Sequence, residues 1–167
     1  MDLIVENAGS VLWGQRRFRC AVGPSGIIPA AAKREGDGAT PAGRWPIREI
    51  LYRADKVARP ETKFPVRELR ADDGWCEMPG DPNYNKLVQH PYPGADHMWR
   101  EDGLYDVAAV LGYNDDPIVS GKGSAIFMHV ARTGFSPSAG CVTLRLTDLL
   151  IVLREADIST QVDIRLA

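Results

Sequence analysis

Two side chains able to act together stand close in the sequence, His129 and Cys141, in the run Ala125-Ile-Phe-Met-His129-Val-Ala-Arg-Thr-Gly-Phe-Ser-Pro-Ser138-Ala-Gly140-Cys141. A free thiol is ionised to only a few per cent at neutral pH. A neighbouring imidazole raises that fraction by taking the proton and stabilising the thiolate as an ion pair. The pairing therefore reads as a cysteine nucleophile with its base, suited to acyl transfer. Such a reaction also needs backbone N–H groups aimed at the developing oxyanion, expected here around Gly140 and Cys141. Ser138 either orients the imidazole or closes a serine turn.

The surrounding sequence must bring these groups together. Ser124 to Val130 is apolar and free of charge, which predicts a buried strand with His129 at its exit. Thr133, Gly134, Ser136, Pro137 and Ser138 predict a turn-rich connection, and Gly140 lets the backbone pass closely just before Cys141. The interval suits a strand, a loop and a return. Upstream, Leu3 to Glu6, Val11 to Gly14 and Arg17 to Val22 read as hairpin strands. Lys33 to Gly43 is polar and glycine-rich, hence a loop, while Trp45 to Arg53 fits a strand or a helical turn by pattern alone. From Ala54 to Gly103 prolines, charges and aromatics replace periodicity, which predicts a long loop-rich insertion serving as a lid or wall over the site. Leu104 to Leu111 predicts a core strand. Thr147 is the expected N-cap of a helix over Asp148 to Ala156, with Leu149, Leu150 and Leu153 on one face. The tail from Gln161 to Leu166 predicts a closing strand with Val162, Ile164 and Leu166 inward.

Composition narrows the function. The chain has 167 residues, 44% hydrophobic and 25% charged, enough for one globular domain with an adequate core. A net charge of −2 gives no electrostatic case for nucleic acid or an anionic membrane. No window approaches a membrane span. Cys20, Cys76 and Cys141 are widely spaced and form no Cys-x-x-Cys pair, so neither a disulfide framework nor a zinc site is indicated. Cys20 and Cys76 read as packing residues. No metal and no cofactor are expected. The first residues, Met1-Asp-Leu-Ile-Val-Glu6, lack a basic segment and an apolar stretch of signal-peptide length. If that start is native, the expected location is cytoplasmic; otherwise it is periplasmic.

His129 followed by Ser138-x-Gly140-Cys141-Val142 resembles the signature of the L,D-transpeptidase catalytic domain, the YkuD-like family. Gly38-Ala-Thr40-Pro41-Ala-Gly43-Arg-Trp45 is similar to that family's Thr-Pro-x-Gly-x-aromatic segment, which starts an early strand. Two ordered matches are far more specific than either alone. They favour the strand reading of Trp45 to Arg53. The resemblance implies a single domain over 1–167, a mainly β, antiparallel sandwich or barrel-like fold with one or two helices. Many members have a histidine directly before the Gly-Cys pair and an arginine two places after the cysteine. This chain has Ala139 and Thr143 there, and the loop from histidine to cysteine is a few residues shorter.

The resemblance also implies a substrate, a peptidoglycan stem tetrapeptide or muropeptide. Cys141 would attack the carbonyl of the diaminopimelate L-centre, and His129 would protonate the departing D-alanine. Water would then make the enzyme an L,D-carboxypeptidase, and a second stem amine would make it an L,D-transpeptidase. The missing leader favours trimming in cell-wall recycling. Tyr84, Asn85, Asn114, Arg100 and Arg132 are candidate contacts for stem-peptide carboxylates and amides, because an arginine fork suits a carboxylate. His97, flanked by Asp96, Trp99 and Arg100, is a further candidate, and Ala139 can offer its backbone N–H. Sortase-type and papain-like enzymes fit less well, by spacing and chain order respectively. Two other readings are an inactive wall-binding module of the same fold, with Ala139 as its best support, and a redox sensor built on Cys141.

Overall fold

Runs that alternate buried and half-buried side chains form the first two strands and the last, and a computed structural model describes residues 1–166 of the chain. The first strands are β1 (Leu3–Asn7), β2 (Ser10–Trp13) and β3 (Arg16–Ala21). They form an antiparallel meander, and a two-residue loop with Gly14 at φ +61° joins β2 to β3. β4 (Ile27–Pro29), β5 (Thr40–Tyr52) and β6 (Val66–Glu68) follow, then β7 (Asp73–Cys76), β8 (Leu87–Gln89) and β9 (Ala95–His97). β10 (Val107–Leu111), β11 (Phe127–Val130), β12 (Val142–Leu144), the helix α1 (Leu146–Glu155) and β13 (Gln161–Ile164) complete the chain. The fold is mainly β with one α-helix, as the sequence predicts.

The long β5 closes the architecture. It pairs with β13 through Gly43–Pro46 and with β10 through Ile47–Tyr52. The pairings β10-β11-β12-β3-β2-β1-β13-β5 therefore return on themselves as a barrel-like ring. β7, β8 and β9 form a separate three-stranded antiparallel sheet.

Because side chains alternate along a strand, the wall made by β5, β10, β11 and β12 has two apolar faces. Ile50, Val107, Ala109, Leu111, Met128, Val142 and Leu144 enter the main core with Leu149, Val152 and Leu153 of α1. Leu51, Ala108, Val110, Phe127 and Cys141 point the other way and pack with Trp75, Met98, Leu104 and Tyr105. Phe127 and Met128 are both fully buried on opposite faces. Burial of each such side chain is worth about 1.5–3 kcal/mol, so a slip of β11 by one residue would exchange His129 with a core position.

Several sequence expectations need correction. The helix begins at Leu146 with Arg145 as an N-cap that makes no side-chain bond, so Thr147 lies inside its first turn. Its buried face is Leu149, Val152 and Leu153, with Leu150 only half buried. The last strand stops at Ile164, where its ladders end, and Leu166 is 54% exposed. The strand that carries His129 starts at Phe127 rather than Ser124, because Ala125 adopts φ +53° and breaks the extended run. The segment 54–103 holds its own small sheet, built from strands too short for a periodic signal. No helix among the described residues is long and apolar enough to cross a membrane.

Candidate active site

β11 and β12 run parallel, with His129 beside Thr143 and Met128 beside Val142. The same register sets Cys141 beside Phe127, and the Phe127 N–H donates to Cys141 Sγ at 3.3 Å. His129 and Cys141 thus lie on one face of adjacent strands, two positions out of register. The expected return strand is instead a crossover, as parallel neighbours require. Its turn contains the short 3-10 segment Thr133–Phe135.

The upstream motif holds the cysteine loop in place. Thr40, at the start of β5 and fully buried, donates from its hydroxyl to the Gly140 carbonyl at 2.8 Å and accepts the Gly23 N–H at 2.9 Å. Gly140 itself sits at φ +143°, and a Cβ there would meet the Ala39 carbonyl oxygen at 2.8 Å. Only glycine fits both the conformation and the space. Ser138 closes the turn: its hydroxyl donates to the Cys141 carbonyl at 2.6 Å and accepts the Gly140 N–H at 3.1 Å. This is the serine-turn alternative, and it engages one of the two N–H groups expected at the oxyanion.

The thiol and the imidazole do not bond to each other. Cys141 Sγ donates to the Ala125 carbonyl at 3.1 Å. His129 Nδ1 lies 2.9 Å from the Val130 carbonyl, which can only accept, so Nδ1 carries the proton in the neutral ring. Nε2 has no hydrogen-bond partner among the described residues and is left as the basic nitrogen. Burial pushes the Cys141 thiol up to about 12, against a smaller opposing effect of the Phe127 N–H. Burial also lowers His129 to about 4, helped by Arg100 and Arg132 and opposed by the bond to Val130. The free protein therefore holds a neutral thiol and a neutral imidazole, in place of the ion pair expected from sequence. The Tyr105 ring stands edge-on to the imidazole at 5.2 Å and 88°.

Both groups line one pocket of about 280 Å³. Ser138, Ala139, Gly140, Arg100 and Arg132 line it as well, which places five further sequence candidates there. Arg100 forks onto Asp102 at 3.0 and 2.6 Å, while Arg132 stands 3.8 Å from the same carboxylate.

Four other candidates lie elsewhere. Tyr84 is 2% exposed, and its hydroxyl donates to Glu35 at 2.7 Å and accepts the Gly123 N–H at 2.9 Å. Asn85 accepts from Trp75 Nε1 and the Ala125 N–H and donates to the carbonyls of Tyr113 and Asn114. Its amide is fully engaged in holding Ala125, the residue whose carbonyl receives the thiol. Asn114 ties its own loop by bonds to Val119 and Gly123. His97 is stacked on His90 at 3.8 Å on an outer surface. Asn85 and Asn114 occupy positive φ, 57° and 51°, which explains asparagine at both without a ligand.

The pocket also contains residues the sequence reading missed: Lys33, Glu35, Glu77, Asp96, Tyr105 and Ser124. Glu77 and Asp96 come from the small sheet of the insertion, where Trp75 pairs with Asp96 and the Glu77 N–H donates to Gly94 at 3.0 Å. No local pattern marks them. All three cysteines are free, and no cluster of His, Cys, Asp or Glu among the described residues is suited to a metal ion.

No curated protein and no solved structure gives a significant match to the chain. A family model described as the L,D-transpeptidase catalytic domain matches residues 3–164. That span includes both motifs, the ring of strands and the pocket. The chain belongs to the L,D-transpeptidase catalytic domain family.

Proposed function

We propose that Cys141 is the nucleophile of a peptidoglycan acyl-transfer reaction and that His129 is its base. The observation that carries this reading is the shared pocket, lined both by Cys141 and by His129, whose Nε2 has no partner among the described residues. Binding of a stem tetrapeptide would exclude water, and the thiol proton would pass from its place on the Ala125 carbonyl to Nε2 as sulfur attacks the diaminopimelate L-centre carbonyl. The Nδ1–H bond to Val130 holds the ring in the tautomer that makes Nε2 the acceptor. The Cys141 N–H supports the oxyanion, since the Gly140 N–H is engaged by Ser138. His129 then returns the proton to the departing D-alanine, leaving a thioester on Cys141.

The thioester has two fates. Attack by water gives a tripeptide, an L,D-carboxypeptidase outcome, and attack by the amine of a second stem gives a cross-link, an L,D-transpeptidase outcome. Incubation with purified tetrapeptide muropeptide, with and without a second stem, separates them by product mass. Release of D-alanine in either case supports the reading, and no release with any stem contradicts it.

The raised thiol and the absence of a thiol-to-imidazole bond favour a second reading, a binding module that has lost turnover. Reaction with a carbapenem decides between them. An adduct on Cys141 in the intact mass supports the enzyme, and none, together with no D-alanine release, supports the binder.

A further inference from the structure

One wall of the pocket is acidic in a way the reaction at Cys141 does not require. Glu35 comes from the loop before β5, Glu77 directly follows β7, and Asp96 is the middle residue of β9. Glu35 is held in position, since its Oε1 accepts from the Tyr84 hydroxyl at 2.7 Å and the Ser124 hydroxyl at 2.5 Å. Its second oxygen has no partner among the described residues. Asp96 Oδ1 accepts the His97 N–H at 2.9 Å, and its Oδ2 is 4.0 Å from Arg100, whose fork is committed to Asp102. The Glu77 carboxylate makes no hydrogen bond and no ion pair among the described residues. The cation on the same side, Lys33, is spent on Asp37 at 2.6 Å and the Arg34 carbonyl at 2.8 Å.

A second feature points into the same space. Tyr105 is only 8% exposed, yet its hydroxyl has no partner among the described residues and lines the pocket. Burial, then the nearby Cys141, raises it well above its ordinary value, so it remains a neutral hydroxyl. Facing the pocket, that hydroxyl can donate to or accept from a ligand there. Converging carboxylates are costly: burial first, then Asp96 and Glu35, push Glu77 up to about 7. A ligand bearing positive charge and several N–H donors would relieve that repulsion and engage the hydroxyl. An ammonium group, with three donors around one compact charge, matches these acceptors.

We propose that Glu35, Glu77 and Asp96, with the Tyr105 hydroxyl, form an ammonium-binding subsite that selects acyl donors whose reacting residue carries a side chain ending in a primary amine. This rests on the acyl-transfer reading for the position of the donor, but it is tested separately. In such a complex the ammonium enters between the three carboxylates while the carbonyl of the same residue lies against Cys141. Arg132, which lines the same pocket and whose side chain makes no hydrogen bond among the described residues, can face a carboxylate of the substrate.

The experiment uses two stem tetrapeptides, one with lysine at the third position and one with Nε-acetyl-lysine, bound at equilibrium to the Cys141→Ala protein at pH 8. Loss of charge-assisted hydrogen bonds predicts that acetylation weakens binding about tenfold or more. Adding Glu77→Gln and Asp96→Asn brings the two peptides within about twofold of each other. Equal binding of the two peptides, or a preference that survives in the double variant, overturns the subsite. Intact-mass measurement of Cys141 acylation on the unmodified protein keeps the two readings apart. If neither peptide acylates Cys141 but the free amine still binds more tightly, acyl transfer fails and the subsite stands. If both acylate at equal rates and bind equally, the subsite fails and the nucleophile stands.

Discussion

The strands β10 to β12 and the insertion 54–103 meet across the pocket, and they are held by different physics. Every residue of β10 is buried and apolar, and its position is fixed by ladders to β5 and β11. The insertion is organised around buried polar groups. Asp73, with no exposure, accepts from Arg67, Gln89 and the Arg70 N–H, while Arg53, 2% exposed, donates to the Arg100 carbonyl and lies under the Trp99 ring at 3.5 Å. Backbone register thus positions His129 and Cys141, while side-chain networks position the part of the pocket that the insertion supplies. The first arrangement fails as a whole when disturbed; the second can change its selectivity with the chemistry left intact.

That contrast is sharpest at His129. Replacement by glutamine keeps the size and the strand but removes the base, and acylation of Cys141 should slow by about 10²–10⁴-fold in stopped-flow mass measurements. A slowing of less than tenfold would place the proton acceptor elsewhere in the pocket. The same variant also tests the neutral ring. In the native protein, lowering the histidine from 6.5 to about 4 means that the unfolded chain binds more protons between those values. This contribution to stability is fully present above pH 6.5 and is lost as pH falls toward 4. His129→Gln should flatten that part of the stability profile in urea titrations, and an unchanged profile would mean the ring is not the group titrating.

On the insertion side, Asn85→Leu removes four hydrogen bonds and leaves the Ala125 N–H unmatched at a strained φ. Destabilisation by about 2–4 kcal/mol is expected from denaturant midpoints, with slower acylation as Ala125 moves. A variant with full stability would show that the insertion does not brace the thiol. Thr40→Val is the corresponding change on the ladder side. It strands the Gly140 carbonyl and the Gly23 N–H, and about 1–3 kcal/mol should be lost. The smallest effect concerns the free thiol. With Cys141 held up to about 12, its rate of alkylation by iodoacetamide should still be rising at pH 10. A plateau below pH 7 would instead reveal a thiolate–imidazolium pair at rest.

The same division explains what the sequence reveals. His129, Gly140 and Cys141 are legible because an imidazole, a thiol and the glycine between them sit on one short strand–turn–strand unit. The Thr40 segment is legible as a motif, but its bond to Gly140 spans 100 residues, and no local pattern encodes it. Glu35, Glu77 and Asp96 are invisible for a related reason: each is an ordinary acid in a polar stretch until the small sheet folds against the ring. Tyr84, Asn85 and Asn114 mislead in the opposite direction. Amides and hydroxyls recognise a peptide backbone whether it belongs to a substrate or to the protein itself, and here it is the protein's own backbone and Glu35 that take them. Strands β1 to β3 follow from short runs set between turn residues and β13 from alternation, whereas the short strands of the insertion carry too few residues to alternate.

One measurement bears on the nucleophile most directly: intact mass after rapid mixing with a stem tetrapeptide and acid quench. The protein should gain the peptide's mass less that of the released D-alanine, the adduct should map to Cys141, and Cys141→Ala should show neither adduct nor D-alanine. Release of D-alanine at an undiminished rate from Cys141→Ala, or an adduct at any other residue, would contradict the account.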